Sequence, residues 1–438
     1  MFLSVLSVLV VKRFTFLFQQ FIFFPFKNVI FTPMKKIIAS LIIILTSFTF
    51  IANAQQMRDY KPESNKGVRV GGERTEQYLP LIKGKNIAVL ANQTSMIGKT
   101  HLVDSLVSLG VKIKLIFAPE HGFRGNADAG ESINNSIDKR TGIPIVSLYG
   151  NHQKPSAKDL EGIDIVVFDI QDVGVRYYTF LSTLHYVMEA CAENNKTLLL
   201  LDRPNPNGFY VDGPVLEKKY ASFVGIDPVP VVHGCTLAEM AEMINGEHWL
   251  GNNLHCNLEA ITCEGYSHST YYQLPIKPSP NLTSMVAVYL YPSLGLFEGT
   301  EISVGRGTQT PFEIIGYPGF KMKTFKFTPK SIVGMSKNPP YEGVECNGLD
   351  LHQFGDVYIK NLKALYIYWL KAFYDDYPDK AKYFNNFFDS LAGNSTLRNM
   401  IISGKDEDAI HASWEKDLKN YLTIRKKYLL YEDFEDGE

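Results

Sequence analysis

Ile163-Asp164-Ile165-Val166-Val167-Phe168-Asp169-Ile170 is followed by an amphipathic stretch over residues 179–194 and then by Thr197-Leu198-Leu199-Leu200-Leu201. The first run is nearly all apolar, as a strand covered on both faces must be. The middle stretch spaces its apolar residues at helical intervals. Covered strand, helix and covered strand in that order make a parallel βαβ unit, with helices on the faces of the sheet.

The unit repeats towards the N-terminus. Asn86–Ala91 is a short apolar strand, and residues 100–109 carry a helical pattern that Gly110 closes as a C-cap would. Residues 111–118 and 144–149 read as two further strands. The predicted fold is α/β, a Rossmann-like, mostly parallel sheet domain followed by a smaller α+β C-terminal domain, with a cleft between them. No Gly-x-Gly-x-x-Gly follows the first strand, and Gly98-Lys99-Thr100 lacks the leading glycine of a phosphate loop, so the topology carries no nucleotide fingerprint. Downstream, Thr236 reads as the N-cap of a helix over residues 237–244, and residues 258–264 read as a strand. Beyond the turn-rich Lys277-Pro278-Ser279-Pro280-Asn281-Leu282, short strands mix with aromatic-rich helices such as residues 362–374. The expected division is a catalytic domain over residues 78–270 and a second domain over residues 271–438.

The start of the chain reads differently. Met34-Lys35-Lys36, an apolar run over residues 37–51 and Ala52-Asn53-Ala54 form a signal peptide with cleavage after Ala54. Residues 1–33 read as an upstream extension ahead of the true start, with an N-terminal membrane anchor as the rival reading. Residues 55–77 read as a polar, flexible leader into the domain. The protein is thus expected to be exported, periplasmic or secreted, with no stable membrane insertion after signal cleavage. Five scattered cysteines argue against a disulfide framework and leave only a Cys256–Cys263 bridge open. A net charge of -2 gives no electrostatic footprint for nucleic acid. The 24 tyrosines suit sugars, which offer apolar faces and hydroxyls together, and equally suit ordinary amphipathic packing.

Chemistry collects where the strands end. In a parallel sheet those ends share one edge, where ligands bind. Asn92 follows the first strand, and Glu120 and His121 follow the second, within Phe117-Ala118-Pro119-Glu120-His121-Gly122-Phe123-Arg124-Gly125. Asp169, Gln171 and Asp172 follow the fourth, and Asp202, Arg203 and Asn205 the fifth. Glu120 can act as general acid, base or nucleophile, since a partly buried carboxyl donates a proton near neutrality; its bland reading is a turn residue paired with Arg124. His121 either orients Glu120 and binds substrate or is a structural histidine. Asp169 holds substrate hydroxyls or serves as a second carboxylate, and Asp172 caps a turn. A second polar segment, Glu298-Gly299-Thr300-Glu301-Ile302-Ser303-Val304-Gly305-Arg306-Gly307-Thr308, offers Glu301 and Arg306 among three glycines that permit close backbone approach to a ligand. Arg306 and Arg203 can clamp a carboxylate; alternatively Arg306 simply pairs with Glu301. Asp169, His121 and His233 could gather a divalent ion, but no helical His-Glu-x-x-His pair supports it, so neither metal nor cofactor is assigned.

These segments, with Phe168-Asp169-Ile170-Gln171-Asp172-Val173-Gly174-Val175-Arg176-Tyr177-Tyr178-Thr179 and Asp202-Arg203-Pro204-Asn205-Pro206, resemble the YbbC/NamZ family of exo-β-N-acetylmuramidases, formerly a domain of unknown function. The resemblance spans residues 78–431 and shows no departure at the motif positions. It implies release of N-acetylmuramic acid (MurNAc) from the non-reducing end of peptide-free peptidoglycan fragments, muro-disaccharides or oligosaccharides. The family's motif glutamate falls on Glu120, with Glu301 or Asp169 as candidate partner. His121, Arg306, Arg203, Asn92, Tyr178, Arg124 and Gln171 are the candidate substrate-binding residues. Two other classes fit the same residues: a non-catalytic wall-fragment binding protein, and a metal-dependent esterase or deacetylase acting on wall sugars.

Overall fold

Seven strands make the central sheet: β1 (Asn86–Ala91), β4 (Lys112–Ala118), β5 (Ser136–Ile137), β6 (Pro144–Ser147), β7 (Ile165–Asp169), β8 (Thr197–Leu201) and β9 (Asn257–Ile261). The chain also forms a small hairpin, β2 (Met96–Ile97) with β3 (Thr100–His101), just after β1. The computed structural model describes residues 65, 67–124 and 136–434. The chain divides into two units, Met1–Lys61 and Pro62–Glu438, and every described residue lies in the second. The expected signal peptide over residues 34–54, the extension before it and residues 55–64 and 66 of the leader lie outside the described residues. Residues 67–77, expected to be flexible, are instead fastened to the fold: Arg69 and Glu264 exchange backbone hydrogen bonds of 2.9 and 2.8 Å, and Val70 is buried.

The sheet order is β5-β6-β4-β1-β7-β8-β9, parallel throughout except for β5. From β1 the chain first moves to one side, through β4 and β6, then crosses to the other side at β7. The strand order therefore reverses between β1 and β7, the point where ligands bind in sheets of this kind. Successive residues of each strand face opposite layers. Ile87, Val89, Ile165, Val167, Leu199 and Leu201 meet α1 (Thr75–Ile82) and α2 (Leu102–Ser108). Ala88, Leu90, Val166, Phe168, Leu198 and Leu200 meet α3 (Phe180–Glu193) and α4 (Leu237–Gly246). This double cover explains the apolar runs that make the fold readable. Thr236 caps α4 through a full capping box with Glu239, as its sequence predicts.

The second layer's core continues without a break into the C-terminal part. It takes in α5 (Met285–Leu294), one face of a three-stranded antiparallel sheet of β10 (Ile314–Tyr317), β11 (Phe325–Phe327) and β12 (Cys346–Asp350), and the helices that follow; on the sheet's other face Ile314, Phe327 and Cys346 form a small cluster of their own. Those are α6 (His352–Val357), α7 (Ile359–Leu362), α8 (Tyr368–Asp376), α9 (Phe388–Ala392), α10 (Thr396–Ile402), α11 (Glu407–Ala412) and α12 (Glu415–Arg425). The helix expected over residues 362–374 is in fact two, because Lys363 adopts a left-handed φ of 46° and ends α7. The Cys256–Cys263 bridge does not form. The two cysteines flank the extended strand β9, about 23 Å apart at ~3.3 Å per residue, far beyond disulfide reach. Cys256 lies instead against Cys191.

Candidate active site

β4 and β6 pair in parallel with Ala118 opposite Ser147. Two residues further along each strand stand Glu120 and Tyr149, so the register itself sets them side by side. The phenol of Tyr149 is hydrogen-bonded to Glu120; burial, then the charge of Glu120, then this bond hold the phenol well above its ordinary pKa. Past Pro119 the backbone turns, with Gly122 N–H donating to Pro119 O at 3.0 Å. His121 takes a left-handed φ of 70° in this turn, a conformation that costs on the order of 1 kcal/mol for a side-chain-bearing residue.

The third contribution comes from the segment after β7. Thr179 sits at the N-cap of α3 but makes no side-chain cap bond. Its hydroxyl donates instead to Glu120 Oε2 at 2.7 Å. Two strand ends and the N-terminus of α3 thus converge on one half-buried carboxyl. Beside it, His121 is 5% exposed, and its Nδ1 has no hydrogen-bond partner among the described residues. Burial pushes this imidazole below its ordinary pKa, Glu120 pulls it up and Arg306 pushes it down; the net direction favours the neutral ring at neutral pH.

Arg306 completes the group from the C-terminal part. Its Nε donates to Glu298 Oε1 at 2.7 Å, and its guanidinium lies 5.1 Å over the Phe312 ring. Burial opposes the charge of Arg306, but Glu298, Tyr291 and Glu120 outweigh it and raise the guanidinium pKa. Tyr291 on α5 feels the charges of Glu298, Arg306 and Glu120 alike, and packs edge-on against Tyr178 at 6.0 Å and Phe312 at 5.0 Å. Tyr178 in turn donates its hydroxyl to Pro278 O at 2.8 Å. Of the sequence-predicted residues, the structure brings Glu120, His121, Tyr178 and Arg306 together.

It places the others elsewhere. Asp169 and Arg203 bind each other through two bonds of 2.6 and 3.0 Å, with Asp169 0% and Arg203 6% exposed. A carboxylate neutralised in that fork is not available as a second catalytic group, nor is Arg203 available as an anion clamp. Glu301 is exposed; its N–H donates to Tyr383 O, its carbonyl accepts from Tyr341, and Glu298 holds the place by Arg306 that Glu301 was expected to fill. Arg124 forks onto Asp138 at 3.0 and 2.9 Å rather than meeting Glu120. Asn92 shapes the turn after β1 by accepting from Thr94 N–H and Oγ1. Gln171 donates to Asp172 O and Pro204 O. The glycines of the second segment answer to packing rather than to a ligand: a Cβ on Gly305 would meet Ile314 at 2.5 Å, and one on Gly299 would meet Phe388 Cα at 2.4 Å. Asp169, His121 and His233 do not gather, and among the described residues no three His, Cys, Asp or Glu side chains could hold a metal ion together.

Sequence reasoning missed Glu298, Tyr149, Thr179 and Tyr291. Three of them stood in stretches already singled out, two residues past a strand or at the edge of a motif. Tyr291 gave no signal, because α5 is apolar all round and nothing in its pattern marks one tyrosine.

Comparisons with known proteins show the family and the fold. The family description "Exo-beta-N-acetylmuramidase NamZ, N-terminal" matches residues 87–286, and its C-terminal counterpart matches residues 289–431. The peptidoglycan beta-N-acetylmuramidase NamZ of Bacillus subtilis (strain 168) is 36% identical over 419 residues, covering 90% of this chain and 100% of that protein. Two solved DUF1343 family proteins of Bacteroides fragilis NCTC 9343 share the fold. One aligns with a TM-score of 0.78 at 45% identity, covering 84% of this chain and 99% of its own. The other aligns at 0.71 and 28%, covering 83% and 99%. The chain belongs to the NamZ family of exo-β-N-acetylmuramidases.

Proposed function

We propose that this glycoside hydrolase of peptidoglycan is exo-acting and releases MurNAc from the non-reducing end of peptide-free fragments such as MurNAc–N-acetylglucosamine, in cell-wall turnover and recycling. The observation that carries the reading is Glu120, held by Thr179 and Tyr149 where the ends of β4 and β6 meet the N-terminus of α3, and within reach of the charge of Arg306. Glu120 protonates the leaving glycosidic oxygen. The Nη amines of Arg306 read the lactyl carboxylate that distinguishes MurNAc from N-acetylglucosamine.

Glycoside hydrolysis ordinarily uses two carboxyls. Asp169 is neutralised by Arg203 and Glu298 is paired with Arg306, while Asp172 is held by burial in its protonated form up to about 7. The substrate's own acetamido oxygen therefore takes the second role. Export after cleavage at Ala54 brings the enzyme to its substrate, in the periplasm or outside the cell; the mass of the mature protein, expected to begin at Gln55, checks that step.

Incubation of the purified protein with MurNAc–N-acetylglucosamine, with and without chelator, is expected to yield free MurNAc equally in both. Intact disaccharide bound by folded protein would identify a binding module instead, and loss of release in chelator a metal enzyme. Arg306→Ala should lower kcat/KM for the MurNAc glycoside roughly 10- to 100-fold more than for the N-acetylglucosamine analogue, the size of a charge-assisted hydrogen bond. Equal losses would remove the carboxylate-reading role.

A further inference from the structure

An aromatic run continues outward from Glu120 through Tyr149, and its two outer rings are used by no step above. The ring of Tyr149, whose hydroxyl meets Glu120, stands edge-on to Phe223 with centroids 6.1 Å apart. Phe223 lies nearly parallel to Tyr186, at 6.2 Å and 10°. All three rings are half-buried, so each keeps a solvent-facing part. Phe223 is placed there by a tight turn, in which Ser222 and Gly225 exchange hydrogen bonds of 2.9 Å in both directions. Turn tips favour glycine, proline and small polar residues; this one carries Phe223 and Val224.

A second, independent route leads to the same place. Tyr186 is seven residues beyond Thr179 on α3. Seven residues are close to two full turns, so Tyr186 shares a helix face with Thr179, about 10 Å further along the axis. Thr179 holds Glu120. The helix and the chain of rings thus start at one carboxyl and end at one tyrosine.

We infer that Tyr149, Phe223 and Tyr186 form a subsite for the leaving-group side of the glycan, the N-acetylhexosamine residues beyond the scissile bond. The inference rests on the proposed exo-glycosidase reading. A proton donor stands at the glycosidic oxygen, the border between the sugar that is released and the chain that departs. A platform reaching about 10 Å past that border has no use for a single terminal sugar and fits the apolar faces of the sugars that follow it. Amphipathic rings of this kind line small-molecule sites, offering area and a polar edge together.

The test compares three substrates: the MurNAc–N-acetylglucosamine disaccharide, the tetrasaccharide made of two such units, and the β-fluoride of MurNAc, whose leaving group is a single atom. Phe223→Ala should lower kcat/KM on the disaccharide about ten-fold and Tyr186→Ala on the tetrasaccharide by as much, each by at least five times more than on the fluoride, with unchanged melting temperature. Equal losses on glycan and fluoride, or no loss on the glycan, would reduce the three rings to ordinary packing. If the wild-type protein cleaves none of the three substrates, the proposed activity fails, and binding decides the subsite by itself. Calorimetry must then show Phe223→Ala weakening disaccharide binding about ten-fold while leaving MurNAc binding within two-fold; otherwise the subsite falls as well.

Discussion

Glu120 and Asp172 are both carboxyls just past strands of one sheet, yet their surroundings give them opposite tasks. Glu120 is half-buried among hydroxyl donors, whereas Asp172 is pushed up to about 7 by burial, with Oδ2 accepting from Gly174 N–H at 2.6 Å. His233 faces Asp172, Nε2 to Oδ2 at 3.9 Å. Its Nδ1 accepts from Cys235 N–H at 3.2 Å, so the neutral ring carries its proton on Nε2. Burial first, then Arg425, Arg176 and His268, push His233 down to about 3. In the folded protein Asp172 keeps its proton and His233 lacks one; in the unfolded chain the reverse holds between pH ~4 and ~6.5. Both states then bind one proton between the two groups, and the pair adds no slope to stability in that window. Asp172→Asn leaves His233 alone. A histidine with a depressed folded pKa contributes stability that is present above its unfolded value and lost as pH falls. The variant should therefore lose about 1.4 kcal/mol per pH unit relative to wild type between pH 6 and pH 4. Denaturant unfolding at pH 6, 5 and 4 checks this; a constant offset between the two proteins would contradict it. Glu120 was legible as a carboxyl at a strand end. That Asp169 would be consumed by Arg203 was not, because the two stand 34 residues apart and only the sheet order brings them together.

At the scale of elements, helix α3 does two things at its first turn. A threonine at an N-cap normally stabilises its helix, and losing it costs about 1 kcal/mol. Thr179 makes no such bond and donates to Glu120 instead. Thr179→Val should thus leave the melting temperature nearly unchanged while lowering kcat about ten-fold, an order set by the loss of one charge-assisted bond. A helix-stability loss with intact turnover would reverse the assignment. The strands and their polar ends could be read in the sequence because both faces are covered and the apolar runs are continuous. The second polar segment could not be resolved in the same way. Glu298 and Glu301 are three residues apart, and the short 3-10 turn Gly295–Gly299 decides which of them meets Arg306. No periodicity in a glycine-rich stretch announces such a turn.

Across the whole molecule, the sheet and the C-terminal helices share one core, and buried arginines fasten them. Arg176 is 0% exposed and donates to Pro214 O and Val229 O at 2.7 Å and to Leu391 O, on α9, at 2.9 Å. Burial lowers its pKa to about 9. Arg425 on α12 likewise bonds to Gly234 O, at 3.1 and 2.7 Å. Arg176 lies in a motif that suggested a ligand site; its distant carbonyl partners, one of them 215 residues away, make it structural, which no local pattern could reveal. Arg176→Met should destabilise the protein by roughly 3 kcal/mol, through carbonyls left without donors. Thermal unfolding checks this, and an unchanged midpoint would contradict it.

The central claim is that one carboxyl, Glu120, carries the proton for bond cleavage. The direct measurement is turnover of MurNAc–N-acetylglucosamine by Glu120→Gln, alongside its melting temperature. An amide keeps the shape and loses the proton, so kcat should fall at least about 100-fold with the fold intact. Turnover within a few-fold of wild type, in a folded Gln variant, would contradict the account.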